Sequence, residues 1–266
     1  VSFEQSVVIP MVRPADYPLD DLLAGIRRIG YSAVEFWNRG PDFEELLASL
    51  RHHDLRLVNM VGHEHVSPTD GKHAEGLSRR RNHDRLESEL AVSIDIAAAN
   101  GVPDLIVFTG HRNEGESDVD ALLVCAEGLK RIAPYAERKG VNLNVEIFNT
   151  KIDHPRYLCD RFDWAVALCE IVGSPRVKIL FDVYHVQIME GDVIRSIQKG
   201  SRWIGHYHTG GNPGRHELDD TQELNYRGIC RAIAATGYQG FVGHEFIPTK
   251  DPIVALEEAF QICNVE

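Results

Sequence analysis

The chain has 266 residues, 43% of them hydrophobic and 26% charged, with a formal net charge of −12. That is the length of one large domain, with enough apolar residues for a full core, and the mixed charge is not that of a disordered chain. The acidic balance argues against a duplex-binding surface, which needs clustered Lys and Arg to neutralise phosphates; the run Arg79-Arg80-Arg81 is the obvious local basic patch, and such runs are usually solvated helix faces.

Strand-like and helix-like segments alternate from end to end. Residues 5–9 read as a first strand, followed by a helix at 19–29 that stops at Gly30. AVEFW (33–37) is a second strand, and 42–53 its helix, opened by Pro41 with acidic residues in the first turn. Residues 56–61 form a third strand; the polar stretch 63–78 is longer than an ordinary βα connection and reads as a functional loop. Residues 79–100 carry Leu86, Leu90 and Ile94 at helical spacing. A fourth strand (105–108) and a helix (119–139) end the first half.

The second half repeats the scheme. Strand 142–147 leads to a helix at 157–172, strand 177–182 to helical material at 193–198, and strand 204–208 to a Gly-, Pro- and charge-rich loop at 209–225. A helix at 226–235, a strand at 241–245 and a helix at 252–263, with Pro252 near its first position, close the chain. Eight β-then-α units predict an α/β fold, a single (β/α)₈ TIM barrel over residues 1–266. An open doubly wound sheet would carry a Gly-rich phosphate loop after strand one, where this chain has Pro10-Met11-Val12-Arg13-Pro14.

Cys125, Cys159, Cys169, Cys230 and Cys263 are widely spaced and lack a CxxC pattern, so neither a disulfide framework nor a cysteine zinc site is indicated. No apolar run approaches the roughly 20 residues of a membrane span. A cytoplasmic location is the expectation, with export still open because the chain starts at Val1.

Four apolar runs end on a metal-binding type of residue: NLNVE at Glu146, VKILFD at Asp182, IGHYH at His208 and FVGHE at Glu245. Their spacings are 36 (146 to 182), 26 (182 to 208) and 37 (208 to 245), each suiting one strand plus one helix. In a parallel barrel the C-terminal strand ends converge on one mouth, so the four residues should point at a single spot. A carboxylate ending an otherwise core-like run is rare unless it is paired or metal-bound, although any one alone is more often a loop residue or helix cap. Three carboxylates and an imidazole suit one divalent ion, Mn²⁺, Mg²⁺, Co²⁺ or Zn²⁺. Glu146 and Glu245, on strands five and eight, are placed to flank a substrate and to move a carbon-bound proton between neighbouring carbons.

Other polar groups gather near these ends. His185, three residues past Asp182, is placed to reach substrate, with a plain first-turn histidine as the alternative. Arg215, in the loop after His208, is placed to clamp a substrate carboxylate or hydroxyl pair. Asn149 and Lys151, just beyond Glu146, are weaker candidates for substrate binding. His206 and His244 read as structural histidines, the second facing the helices. Trp37 and Phe148 read as apolar walls or plain packing.

NVEIFNT, FDVYHVQIMEGD, HYHTGGNPGRHELDDTQELNY and GYQGFVGHEF together resemble the hydroxypyruvate isomerase family, within the wider xylose-isomerase-like group of (β/α)₈ sugar isomerases and epimerases. The likeness is strong over about residues 142–248 and architectural before that. It implies a metal site of Glu146, Asp182, His208 and Glu245, with Glu146 and Glu245 as the acid–base pair. His185 and Arg215 match substrate-contacting positions of the related ketose 3-epimerases. Those epimerases place a further Glu where this chain has Ile152, and members nearer hydroxypyruvate isomerase can carry Gln at the His208 position. The Asp153-His154-Pro155 loop also departs from the plain hydroxypyruvate enzymes.

The leading expectation is a metal-dependent isomerase of a small hydroxy-keto acid or keto sugar, with homo-oligomers allowed and neither nucleic acid nor membrane as partner. A ketose 3-epimerase on the same site is the first alternative. An apurinic-site endonuclease-like hydrolase is the second; it would need extra ligands such as His63, His65, His73 and His111, and a basic rim. A non-catalytic sugar- or acid-binding barrel is the third.

Overall fold

The computed structural model describes residues 3–64 and 73–265. Eight strands pair in chain order into one closed barrel: β1 (Glu4–Val8), β2 (Ala33–Glu35), β3 (Arg56–Val61), β4 (Asp104–Val107), β5 (Asn142–Glu146), β6 (Val177–Asp182), β7 (Ile204–Thr209) and β8 (Phe241–His244). The pairings are parallel, for example Ser6 opposite Ala33 on one side and Gly243 on the other. Between them run α1 (Ile9–Val12), α2 (Leu19–Ile29), α3 (Phe43–His52), α4 (His83–Asn100), α5 (Asp118–Lys139), α6 (Phe162–Val172), α7 (Val183–Met189), α8 (Val193–Gly200), α9 (Tyr226–Ala235) and α10 (Pro252–Cys263). No helix among the described residues is long and apolar enough to cross a membrane.

Strands of a parallel barrel are covered on both faces and read as continuous apolar runs, so polar residues inside them stand out. Asn59, Asp104, Asn144, Glu146, Asp182, His206, His208 and His244 are all buried strand residues. Each needs a partner, because an unsatisfied buried polar group costs about 1–3 kcal/mol.

The chain divides into two compact units, one of Val1–Met60, Asp192–Ser201 and Tyr207–Glu266, the other of Val61–Gly191 and Arg202–His206. In the first, the Tyr31 ring lies edge-on to Phe260 (4.8 Å) and to His244 (5.7 Å), and its hydroxyl donates to the Leu256 carbonyl at 2.9 Å. His244 also sits against Thr209 Oγ1 (2.8 Å) and Gln5 Oε1 (2.9 Å). In the second unit, Asp104 Oδ1 accepts from the amides of Asn142 and Asn144, and Oδ2 lies 3.2 Å from His206 Nδ1. A polar set linked in this way favours one strand register, because a one-residue slip would separate its members. Gly205 leaves room for it: a Cβ there would lie 2.2 Å from Asn144 Oδ1 and 2.7 Å from Lys178 Cβ.

Two helices depart from the sequence expectation. The helix expected at 157–172 begins at Phe162, because Tyr157 is drawn into the interior. Its hydroxyl accepts from Thr109 N–H (3.1 Å) and donates to the Glu146 carbonyl (3.3 Å), and its backbone bridges His111. The helix expected at 193–198 is α8, but an additional helix, α7, precedes it directly after β6, because Asp182 Oδ1 caps it by accepting from the N–H of Tyr184 (2.8 Å) and His185 (3.4 Å). Of the loop expected at 63–78, residues 65–72 lie outside the described residues.

Candidate active site

In the second unit, β5 ends on Glu146 and β6 on Asp182, buried to 3% and 1% exposure. Beside them His185 is fixed by Asn149, whose backbone N–H and side-chain amide donate to His185 Nδ1 at 3.2 and 2.7 Å. With Nδ1 accepting, the proton of the neutral ring sits on Nε2, which lies 3.5 Å from Asp182 Oδ2. Asn149 is itself locked: its Oδ1 accepts from the N–H of Ile152 and Asp153, and its amide donates to Asp153 Oδ2. Asp153 Oδ2 also accepts from the Tyr184 hydroxyl (2.9 Å). Phe148 stacks on His154 at 3.9 Å and tilts against His185 at 5.0 Å.

In the first unit, β7 carries His208 and β8 leads into Glu245, both buried. His208 Nδ1 lies 2.9 Å from Glu245 Oε2, and His208 Nε2 lies 2.9 Å from Oε2 of Glu35 at the end of β2. Arg215 donates Nη2–H to Glu245 Oε2 at 2.7 Å. It comes from a loop held by the Gly211–His216 bridge and by Glu217, which accepts from the backbone N–H and the hydroxyl of Thr249. Burial alone would suppress charge on these groups, but their mutual attraction outweighs it. The His208 pKa is raised well above its ordinary value because the Glu245 and Glu35 carboxylates overcome desolvation. Glu245 is likewise pushed up by burial, and Arg215 and His208 pull it down further, to about 2.

One ligand atom from each of Glu146, Asp182, His208 and Glu245 lies within 4.8 Å of the others, and all four residues are buried. The strand-end residues expected to converge are therefore brought together. The donor set also fits a divalent ion, since three buried carboxylates so close repel one another until a cation neutralises them. His185 and Arg215 adjoin the set through Asp182 and Glu245. Asn149 and Lys151, expected as substrate contacts, both make contacts within the protein. Asn149 is fully buried behind His185, and Lys151 is exposed, its Nζ donating to the carbonyls of Ile188 (2.8 Å) and Met189 (3.1 Å) at the end of α7.

His206 lies against Asp104 but also belongs to a second metal-competent group with Glu35 and His208, whereas His244 turns to Thr209 and Gln5, the structural role expected of it. Of the four histidines considered as extra ligands, His65 lies outside the described residues. His63 has both nitrogens committed: Nδ1–H donates to the Glu64 carbonyl (2.9 Å) and Nε2 accepts from Phe108 N–H (3.0 Å). His73 packs edge-on against Phe148 at 5.1 Å, and neither His73 nor His111 joins a metal-competent group among the described residues. Sequence reasoning missed Glu35. The signal was there: in AVEFW a carboxylate interrupts a strand with no turn residue to excuse it, the same anomaly that marked Glu146 and Glu245.

The sequence pattern of the xylose isomerase-like TIM barrel family matches residues 23–262, and the chain belongs to that family. Within it, a 2-oxo-tetronate isomerase of Cupriavidus necator is 39% identical over 122 residues, a match covering 46% of each chain, so the aligned part spans under half of that relative's length. A Xenopus laevis protein named "Putative hydroxypyruvate isomerase" is 32% identical over 236 residues, covering 85% of this chain and 84% of its own. Among solved structures, an AP endonuclease, family 2 from Brucella melitensis superposes with a TM-score of 0.80 at 24% identity, covering 96% and 97% of the two chains; this likeness is one of fold.

Proposed function

We propose that the chain is a divalent-metal-dependent isomerase that shifts a carbonyl between neighbouring carbons of a small hydroxy-keto acid. Relatives named as isomerases of such acids support the class. The observation that carries the reading is the convergence of Glu146, Asp182, His208 and Glu245 on one buried point. These four would hold the ion. When bound there, a divalent ion polarises a substrate carbonyl and lowers the cost of removing a proton from the adjacent carbon.

The chain's own residues then account for the proton's path. Glu146 and Glu245 are the acid–base pair: one carboxylate takes the proton from the hydroxyl-bearing carbon while the other takes the hydroxyl proton and delivers it to the former carbonyl carbon. The first then gives its proton to the former carbonyl oxygen, so that both end ionised as they began. Arg215 keeps Glu245 ionised and offers its remaining N–H groups to a substrate carboxylate. His185 presents Nε2–H on the Asp182 side, where it orients that carboxylate or donates to a substrate oxygen. All four donors are buried, and the low dielectric of buried surroundings strengthens each of these interactions.

Ile152, where the ketose 3-epimerases are expected to carry Glu, is 64% exposed and supplies no polar contact for a longer sugar. The short-acid reading is therefore preferred over epimerisation. The hydrolytic reading loses His63, whose nitrogens are both committed to backbone. The test is to incubate the chain with hydroxypyruvate or 2-oxo-tetronate and Mn²⁺, Mg²⁺, Co²⁺ or Zn²⁺ in D₂O and follow the products by NMR. The expected result is a shifted carbonyl with deuterium on the new carbinol carbon. An inverted stereocentre with the carbonyl unmoved would mark an epimerase, and inertness toward every keto acid with an ion bound would remove the isomerase reading.

A further inference from the structure

Glu35 takes no part in the proton transfer described above, yet it is a carboxylate buried to 2% exposure. The strands are shaped around it. Pairing between β2 and β3 slips after Val34, so Glu35 stands opposite Asn59 where continued register would place Val58. Oε1 accepts from the Ser6 hydroxyl on β1 (2.6 Å), and Oε2 accepts from the Asn59 side-chain amide on β3 (2.8 Å). The third donor is His208 Nε2–H on β7, 2.9 Å from Oε2. β8 contributes an absence of side chain: a Cβ on Gly243 would lie 2.2 Å from Glu35 Oε1 and 2.9 Å from His208 Cδ2.

We propose that Glu35 is a positioning residue that selects the His208 tautomer and aims the ring. A ring whose Nε2–H is held by a carboxylate can give up only its Nδ1 proton, so the electron pair it can offer an ion is the one on Nδ1. Here Nδ1 faces Glu245, another donor of the same set. Ser6 and Asn59 hold the carboxylate, the slip in register brings Asn59 opposite it, and Gly243 gives both groups their space. The inference rests on the metal-centre reading above. It extends that reading to residues that touch no ion, on a strand the four-donor motif does not include.

The test is calorimetric titration of Mn²⁺ into the wild-type chain and the E35A, E35Q and G243A variants, with the fold of each checked by thermal unfolding. The ¹⁵N-histidine NMR spectrum of the Zn²⁺-loaded proteins is recorded alongside. E35A should weaken ion binding about 10- to 100-fold, the range for removing such an orienting partner. E35Q, whose amide oxygen still accepts from Nε2–H, should fall between E35A and wild type. G243A should follow E35A although it alters no ligand, because its methyl group displaces the carboxylate. The His208 Nε2–H resonance, protected in the wild type, should exchange freely in E35A. A chain that folds, binds one ion with wild-type affinity in all three variants and keeps that resonance overturns the inference alone. A wild-type chain that takes up no ion overturns the metal centre and the inference together. Two ions per wild-type chain, falling to one in E35A, would make Glu35 a ligand with His206 and His208 and overturn its positioning role.

Discussion

Replacing His63 with Gln tests whether a single buried ring sets part of the acid sensitivity of this fold. His63 is neutral by construction, since one nitrogen donates to a carbonyl and the other accepts from a backbone N–H. Protonation would set two N–H groups against each other in a site that water does not reach. Burial accordingly pushes its pKa from 6.5 down to about 4, against a smaller upward pull from the Glu64 carbonyl. The sign follows from proton counting. As pH falls through 6.5 the unfolded chain binds a proton that the folded chain refuses until about pH 4, so stability is full above 6.5, drops between the two values, and levels off below both. A tenfold change in proton affinity is worth about 1.4 kcal/mol, which makes the whole loss about 3 kcal/mol, with about 2 kcal/mol gone by pH 5. The variant lacks this penalty. Urea unfolding of wild type and H63Q at pH 7.5 and pH 5 should show H63Q less stable at pH 7.5, with the gap shrinking by about 2 kcal/mol at pH 5. A gap that stays constant between the two pH values would refute the assignment of a buried neutral ring.

Three further expectations are independent of that one. All five cysteines are buried and free, and burial pushes the Cys169 thiol up to about 12 and Cys125 and Cys159 also upward; a thiol reagent should find almost nothing in the native chain and five groups in urea. Gly205→Ala forces a methyl group against Asn144 of the buried polar set and against Lys178, so denaturant unfolding should register a loss of about 1–3 kcal/mol. Arg215→Met removes a charge-assisted hydrogen bond, worth about 1.5–3 kcal/mol. Its KM for carboxylate substrates should therefore rise about 10- to 100-fold in steady-state assays, with ion binding still measurable by calorimetry.

The barrel was legible because its strands are bounded by glycines, prolines and caps at a regular interval. β3, β6, α2, α9 and α10 fall on the expected residues. The errors came where tertiary contacts override local pattern. Tyr157 stands where the sequence predicts a helix start but is pulled inward by Thr109 and Glu146. The start of α7 was hidden because Asp182 acts at once as strand end, donor and helix cap. At the site, Glu146, Asp182, His208 and Glu245 could be read from position alone, since the barrel's symmetry sends every strand's C-terminal end to the same mouth. Asn149 and Lys151 could be placed near the mouth but not oriented, because proximity in sequence says nothing of which way a loop side chain turns. Glu35 went unseen because its work lies in a β2–β3 register slip and in the space left by Gly243, and neither leaves a motif.

Glu146 and Glu245 are proposed to move a carbon-bound proton beside an ion held by all four donors. This transfer is tested most directly by the rate at which the carbon-bound hydrogen of hydroxypyruvate or 2-oxo-tetronate exchanges with D₂O. The measurement compares the wild-type chain, with and without added divalent metal, with E146Q and E245Q. Exchange should need the metal and fall by at least about 100-fold in each variant, the contribution of a positioned general base. Full exchange by either variant, or exchange by the wild-type chain that persists after chelation, would contradict it.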